Sequence, residues 1–366
     1  CVLVTGIGSC AGLVCSVMEM KLNVTVGVET LHSDAVEIAR HVRPHWTCCP
    51  VSVKVFTDGI TNRLLGCYID TEPDDMILIR VYGENTHLFI DRNLEIRNLK
   101  FMSSAGLSPP LLCTFQNGIC YGYTPGDVLD QNLVSDPKVF RLITKNLAFM
   151  HCINVSENVN KEPCLFKVLR KYLKLIPDSY ADCSDEIKRI LPNKQQLTEE
   201  VQLLESHLSS MGSPVVFCHN DLLLKNIVRN KRKDVTFIDF EYADFNYQAF
   251  DIGNHFCEFA GVEKYNPQLY PDKSFQIEWI RSYLTYWNKL RSNKPMNMNG
   301  DAEHSIEEQI ERLYQQVNKF SLAAHLLWGI WALIQAKHSK IRFDFLGYAV
   351  DRINEYFTRK QQILVE

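Results

Sequence analysis

The stretch from Val215 to Glu258 constrains this chain more than any other. A short apolar run, Val215-Val216-Phe217-Cys218, leads into His219-Asn220-Asp221-Leu222-Leu223-Leu224-Lys225-Asn226. A second run, Val235-Thr236-Phe237-Ile238, leads into Asp239-Phe240-Glu241-Tyr242, and Asp251-Ile252-Gly253-Asn254-His255 with Glu258 closes the segment. Two β-type runs with acids at their ends predict a hairpin-like pair that holds carboxylates beside a loop. Carboxylates gathered so closely repel one another unless a cation sits between them. Asp and Asn oxygens with few soft ligands nearby suit Mg²⁺, which takes one or two carboxylates plus substrate phosphates.

That constellation fits phosphoryl transfer, which asks for a residue that orients the attacking hydroxyl and accepts its proton, and for metal ions bridging the phosphates. Asp221 suits the first role. Asn226, Asp239 and Glu241 are the expected metal ligands, Glu241 for a second magnesium. An Asp followed five residues later by an Asn is the interval of the kinase catalytic loop. Alone it is weak; joined to Asp239 at the end of the next strand it becomes specific. The plain alternative, that these residues merely cap turns, leaves the order of the elements unexplained. His219 is expected as a buried imidazole bonded to the loop backbone rather than as a base, and Asp251 as a brace accepting from the loop's N–H groups.

His219-Asn220-Asp221 through Asn226, and Ile238-Asp239-Phe240-Glu241-Tyr242 through Asn246 to Asp251-Ile252-Gly253-Asn254-His255-Phe256 and Glu258, resemble the signature of the choline/ethanolamine kinase family. The likeness runs from Phe56 through Gly329 and Trp331 to Phe357. It implies an α+β, bilobal protein-kinase-like fold: a small β-rich lobe at 51–124, and a large, mainly helical catalytic and amine-binding lobe at 125–366. It further implies ATP and Mg²⁺ as cofactor and metal, and a small amine alcohol as acceptor. The matching tryptophans, Trp328 and Trp331, would line the amine pocket with Tyr242, and Glu258 would supply negative charge.

The amine itself turns on donors. A trimethylammonium has none and wants an aromatic cage, whereas a primary ammonium has three and wants acceptors. Choline kinases that resemble this chain place Trp and several Tyr after the glutamate; here the residues are Phe259-Ala260-Gly261-Val262. The resemblance is therefore closest to the ethanolamine branch, and it implies ATP-dependent formation of phosphoethanolamine, the first step towards phosphatidylethanolamine. Rival readings are a choline kinase, another phosphotransferase of the same fold such as one acting on aminoglycosides, and an inactive nucleotide-binding scaffold. Intact Asp221, Asn226 and Asp239 speak against the last.

In the small lobe, Val51, Val53 and Val55 alternate with polar residues as a strand does. Phe56 to Asn62 reads as a turn, which from its own sequence is an ordinary hairpin; the resemblance makes Thr57, Gly59 and Asn62 phosphate neighbours. Met76 to Tyr82 is a strand containing Arg80, a cation that is costly there unless paired. The resemblance puts Arg80 where protein kinases carry their phosphate-binding lysine. Glu95 shares a helical face with Leu99 and Met102 and is its expected partner. Tyr121 to Gly126 reads as the hinge, with Tyr123 at the adenine site and Gly122 departing from the longer polar residue usual among relatives.

Residues 1–50 form an uncertain extension with a helix at 34–42. Residues 1–18 are apolar but lack a basic leading region, so no signal peptide is expected, and Met18 or Met20 is the expected beginning. A Gly-rich run at 5–12 spaces its third glycine wrongly for a dinucleotide loop. In the large lobe, 140–151 and 195–211 are helical and 157–198 is expected as short helices and loops over the surface. Ile306, Ile310, Leu313, Val317 and Phe320 form one apolar stripe. The apolar run after it is interrupted by His325 and is expected as a buried core helix rather than a membrane span.

A net charge of -4 excludes a nucleic-acid binder working through a broad basic face. Thirteen scattered cysteines without a CxxC pair point to free thiols in a reducing cytoplasm. A homodimer is permitted but not indicated.

Overall fold

The computed structural model describes residues 20–56, 62–155, 160–176, 185–292 and 305–364. Alternating residues at 52–56 and 62–68 and the apolar run at 77–82 build strands β2 (Ser52–Phe56), β3 (Asn62–Tyr68) and β4 (Ile77–Tyr82). With β1 (Met20–Leu22), β5 (Leu111–Phe115) and β6 (Gly118–Gly122) they form a six-stranded sheet in the order β1-β5-β6-β4-β3-β2. β1 runs parallel to β5 and every other neighbouring pair is antiparallel.

Helix α1 (Leu31–Val42) lays Ala35, Ile38 and Ala39 on this sheet, in a core shared with Trp46, Leu65, Ile77 and Ile79. β1 and α1, which precede Val51, thus belong to the sheet and core of the small lobe, the helix expected at 34–42 among them. A three-residue edge strand such as β1 carries no periodic signal of its own. Helix α2 (Arg92–Ser104) starts where Asp91 accepts from the N–H groups of Asn93 and Leu94. It buries Glu95, Leu99 and Met102, as their shared face predicts.

β7 (Asp127–Val128) carries the chain into the large lobe by pairing with β9 (Ile227–Arg229), which also pairs with β10 (Val235–Phe237). β8 (Val215–Cys218) pairs with β11 (Asp244–Tyr247). The two apolar runs of the signature, β8 and β10, are thus not each other's partners. They lie in separate two- and three-stranded sheets, and the loops that follow them meet between the sheets.

Around them stand α3 (Gln131–Val134), α4 (Pro137–His151), α5 (Leu165–Leu175), α6 (Asp185–Ile190), α7 (Lys194–Leu208) and α8 (Gln248–Cys257). α9 (Lys273–Ser292), α10 (Ile306–His338) and α11 (Phe345–Ile363) complete the lobe. α5 lies at the surface with one face in the main core: Leu165, Phe166, Leu169, Tyr172 and Leu173 are buried, while Lys167, Arg170, Lys171 and Lys174 are exposed. α10 is a single helix of 33 residues, packed against α8, α9 and α11. By length and composition it could cross a bilayer, yet 89% of its most apolar window is buried in protein. It is the central core helix.

Candidate active site

The loop after β8 is built around one buried carboxylate. Asp251, on the first turn of α8, accepts from the backbone N–H of His219 at 2.8 Å and of Asn220 at 2.7 Å. His151, at the end of α4, holds the Asp251 carboxylate from the other side at 2.9 Å and touches the Tyr283 hydroxyl at 2.7 Å. These partners hold the Asp251 pKa below its ordinary value despite the opposing effect of burial, which is the largest single influence. His219 places Nε2 2.9 Å from the Ile238 carbonyl, joining the two signature loops, and burial lowers its pKa. The expected roles of His219 and Asp251 are both seen.

Asn220 takes a left-handed conformation (φ +65°), one that Asn tolerates better than most residues. Its amide donates to the Tyr242 carbonyl at 2.9 Å and its side-chain oxygen accepts from Asn246 at 2.9 Å. Asn254 donates to the Asn220 carbonyl at 3.2 Å. The turn delivers Asp221 to the cleft. Asn226 reaches back and donates from Nδ2 to the Asp221 backbone oxygen at 2.8 Å and to its carboxylate at 3.3 Å. Burial, then the charges of Glu258, Asp239 and Glu241, push the Asp221 pKa well above the usual carboxylate range. Asp221, Asn226 and Asp239 therefore share one electrostatic environment.

Asp239 also sits at φ +65°, on the sharp turn after β10. The cation between the carboxylates is Arg80. It lies 3.0 Å from Glu95, 2.8 Å from Asp239 and 3.3 Å from Glu241. Its contact with Asp239 is an ion pair without hydrogen-bond alignment, so Asp239 Oδ1 remains a buried oxygen lacking a hydrogen-bond donor. Glu241 accepts on Oε2 from Asn62 at 2.9 Å and from Arg80 and Arg92, and burial with neighbouring Asp239 pushes its pKa up to about 7.

A hard cation fits this donor set. Asn226 spends its amide N–H groups on Asp221, which would leave its carbonyl oxygen to ligate, and Asp239 Oδ1, paired with Arg80 but without an aligned donor, would be the carboxylate oxygen offered. Asp221, Asp239 and Glu241 are not among the close groupings of His, Cys, Asp and Glu, which among the described residues are His151/Cys218/Asp251 and His45/Glu72/Asp75. The first of these is already spent on bracing the loop. A cavity of about 380 Å³ bounded by Lys21, Tyr82, Arg92, Ile96 and Phe115 contains none of the site carboxylates.

On the amine side, Tyr242 and Trp328 meet edge to face at 5.3 Å, and Trp328 and Trp331 at 5.6 Å. Trp331 Nε1 donates to the Tyr242 hydroxyl at 3.1 Å, and Trp328 Nε1 to Asn254 at 2.8 Å. Glu258 is buried, and its Oε1 accepts from the fully buried Arg352 at 2.8 Å. Phe259 turns away from this cluster, against Phe275 and Phe256.

At the hinge, the Tyr123 N–H donates to the Met76 carbonyl at 3.2 Å and its ring lies 6.4 Å from Phe56. Gly122 has a local cause: a Cβ there would lie 2.9 Å from Cβ of Pro109. Asn62 stands at the start of β3, while Thr57 and Gly59 lie outside the described residues.

The sequence profile described as choline/ethanolamine kinase matches residues 53–357. The chain belongs to the choline/ethanolamine kinase family. Among its relatives, human ethanolamine kinase 1 is 45% identical over 94% of this chain and 75% of its own length. Mouse ethanolamine kinase 2 is 44% identical over 93% of this chain and 84% of its own. A solved structure of Plasmodium vivax ethanolamine kinase superposes with a TM-score of 0.76 and 26% identity, covering 91% of this chain and 90% of that one. The bilobal kinase-like fold expected from the signature is the fold observed.

Within this choline/ethanolamine kinase family member, several residues of the site had no assigned role in the sequence. Asn220, Asn246 and Asn254 knit the loop to β11, α8 and Trp328. Their signal was present, as amide side chains inside an otherwise apolar signature. Arg352 gave no such signal, because Glu258 lies 94 residues away, and the nearby Glu95 does not reveal that Arg92 also reaches Asn62 and Glu241.

Proposed function

We propose that this kinase transfers the terminal phosphate of ATP to the hydroxyl of ethanolamine, working in the cytoplasm, where the free cysteines of its described residues stay reduced. One observation carries the reading: Asp221, with its raised pKa, faces the metal-side pair Asn226/Asp239 on one flank and Glu258 with Tyr242, Trp328 and Trp331 on the other. Asp221 orients the acceptor hydroxyl and takes its proton, a task favoured by a carboxylate tuned towards neutrality. Asn226 and Asp239 would hold Mg²⁺, with Glu241 steering from beside them. The ion, when bound, offsets the charge of the phosphates. Arg80, already poised on Asp239, would share its guanidinium with the nucleotide phosphates, with Asn62, Thr57 and Gly59 alongside and Glu95 fixing its direction.

Glu258, fixed through Oε1 by Arg352, would present its remaining oxygen to the ammonium group. Fixed acceptors suit a primary ammonium with three N–H donors. With Phe259 packed against Phe256 and Phe275 and only Ala260, Gly261 and Val262 after it, the residues that follow Glu258 add no aromatic face to hold trimethylammonium. The relatives named ethanolamine kinase point the same way. The test is an ADP-release assay on one preparation with ethanolamine, choline and no acceptor. Ethanolamine should give the highest kcat/KM; a clear preference for choline overturns the assignment, and equal turnover without an acceptor overturns the transferase reading itself.

A further inference from the structure

Arg92, on the first turn of α2, has no role in the reading above, yet its guanidinium contacts four polar side chains near the cleft. Its Nη1 lies 2.9 Å from Oε2 of Glu95 and 3.4 Å from Oε2 of Glu241. Its Nη2 donates to Oδ1 of Asn62 at 2.9 Å and to the Thr86 hydroxyl at 2.6 Å. The guanidinium lies 4.0 Å from the centre of the Tyr82 ring. Asn62 in turn donates to Glu241 Oε2 at 2.9 Å, closing a ring of three side chains drawn from β3, α2 and the turn after β10.

Two features make this more than local packing. Glu95 divides its oxygens: Arg80 takes Oε1 and Arg92 takes Oε2, so Arg92 fixes the plane of the carboxylate that aims Arg80. And Arg80 faces three carboxylates, Glu95, Asp239 and Glu241. A lone guanidinium among three acids would be held tightly by all of them. A second cation that offsets Glu95 and Glu241 leaves Arg80 available for a new anionic partner. Only a planar fork with several donors can serve Glu95, Glu241, Asn62 and Thr86 together; an ammonium cannot.

We propose that Arg92 is a positioning residue for nucleotide binding: it holds Glu95, Glu241 and Asn62 in one array, so that Arg80 is aimed at, and free to engage, the phosphates of ATP. Arg92 touches neither acceptor nor reacting atoms in this scheme. It acts through Arg80 and Glu241, and it rests on the reading that these two face the nucleotide.

The test compares wild type with Arg92→Gln, Arg92→Lys and Thr86→Val. Three readouts are taken: KM for ATP and for ethanolamine, kcat, and calorimetric binding of ADP with and without Mg²⁺. Both Arg92 variants should weaken ADP binding and raise KM for ATP about tenfold, with KM for ethanolamine within about twofold of wild type. Thr86→Val, which keeps every charge, should show a smaller shift of the same kind. If Arg92→Gln does not fold, Arg92→Lys and Thr86→Val still decide. Unchanged ADP affinity in soluble variants, or a fall in kcat with both KM values intact, overturns the proposal. Arg80→Ala separates the two layers: if it leaves ADP binding unchanged, the assignment of Arg80 fails; if it weakens binding while the Arg92 variants do not, only the role of Arg92 fails.

Discussion

At the scale of the residue, the site concentrates groups that are costly to bury. Asp221 is half-buried, with its pKa raised by burial and by three neighbouring carboxylates, so its ionised form is held at the expense of folding stability. Removing that charge should therefore separate activity from stability. Asp221→Asn is expected to lower turnover by at least ~10²-fold. In metal-free buffer at neutral pH its melting temperature should equal or exceed that of wild type. A large activity loss with a clearly lowered melting temperature would mean that Asp221 is a structural anchor rather than the base. The sequence disclosed this residue because its partner stands five positions away, within one loop. It did not disclose Arg92: Glu95 stands three positions away and Thr86 six, but that spacing does not record the contacts 30 residues away at Asn62 and 149 away at Glu241.

At the scale of the element, the crossing of α8 and α10 sets the site, because α8 carries Asp251, Asn254 and the approach to Glu258 while α10 carries both tryptophans. The two helices meet at Gly253. A Cβ there would stand 2.7 Å from the Val317 carbonyl oxygen and 3.1 Å from the Ser321 nitrogen, both backbone atoms that cannot step aside. Gly253→Ala should force the helices apart, lowering stability by about 1–3 kcal/mol, the usual cost of overpacking. The same shift would draw Asp251 from the His219 and Asn220 N–H groups, so turnover should fall even in the folded fraction. Urea unfolding beside kcat normalised to folded protein checks this; an unperturbed midpoint would refute the close crossing. Helices such as α10 were legible from their apolar stripes, and β8 and β10 from their apolar runs. What could not be read was that β8 pairs with β11 instead of β10. Pairing depends on which strands share a register across the finished lobe, and short apolar runs carry no such label. How α5 docks was not legible for a related reason: its apolar face acquires a partner only once α7 and α10 lie against it.

At the scale of the whole molecule, buried titratable groups of opposite tendency oppose one another over the acid range. His255 is held down to about 4 chiefly by burial, and His219 and His325 are also lowered, mainly by burial. In the unfolded chain each takes a proton near pH 6.5. Below that pH the unfolded state binds more protons, so the contribution of these histidines to stability is complete above pH 6.5 and lost as pH falls. Glu241 acts in the opposite sense. Its folded pKa of about 7 lies above the unfolded value, so it adds stability as pH falls from 7 towards 4.5 and loses that contribution as pH rises through 7. Between pH 7 and pH 5 each of His255 and Glu241 changes stability by about 2 kcal/mol, with opposite sign, since one pKa unit is worth about 1.4 kcal/mol. Asp221, also raised, adds to the Glu241 side. Wild type should thus lose less stability across this interval in metal-free buffer than its histidines alone would cost. Glu241→Gln removes the Glu241 contribution and should add a loss of about 2 kcal/mol on acidification from pH 7 to pH 5. Urea midpoints for both proteins at the two pH values give the answer. Parallel behaviour of the two would show that Glu241 does not titrate near neutrality.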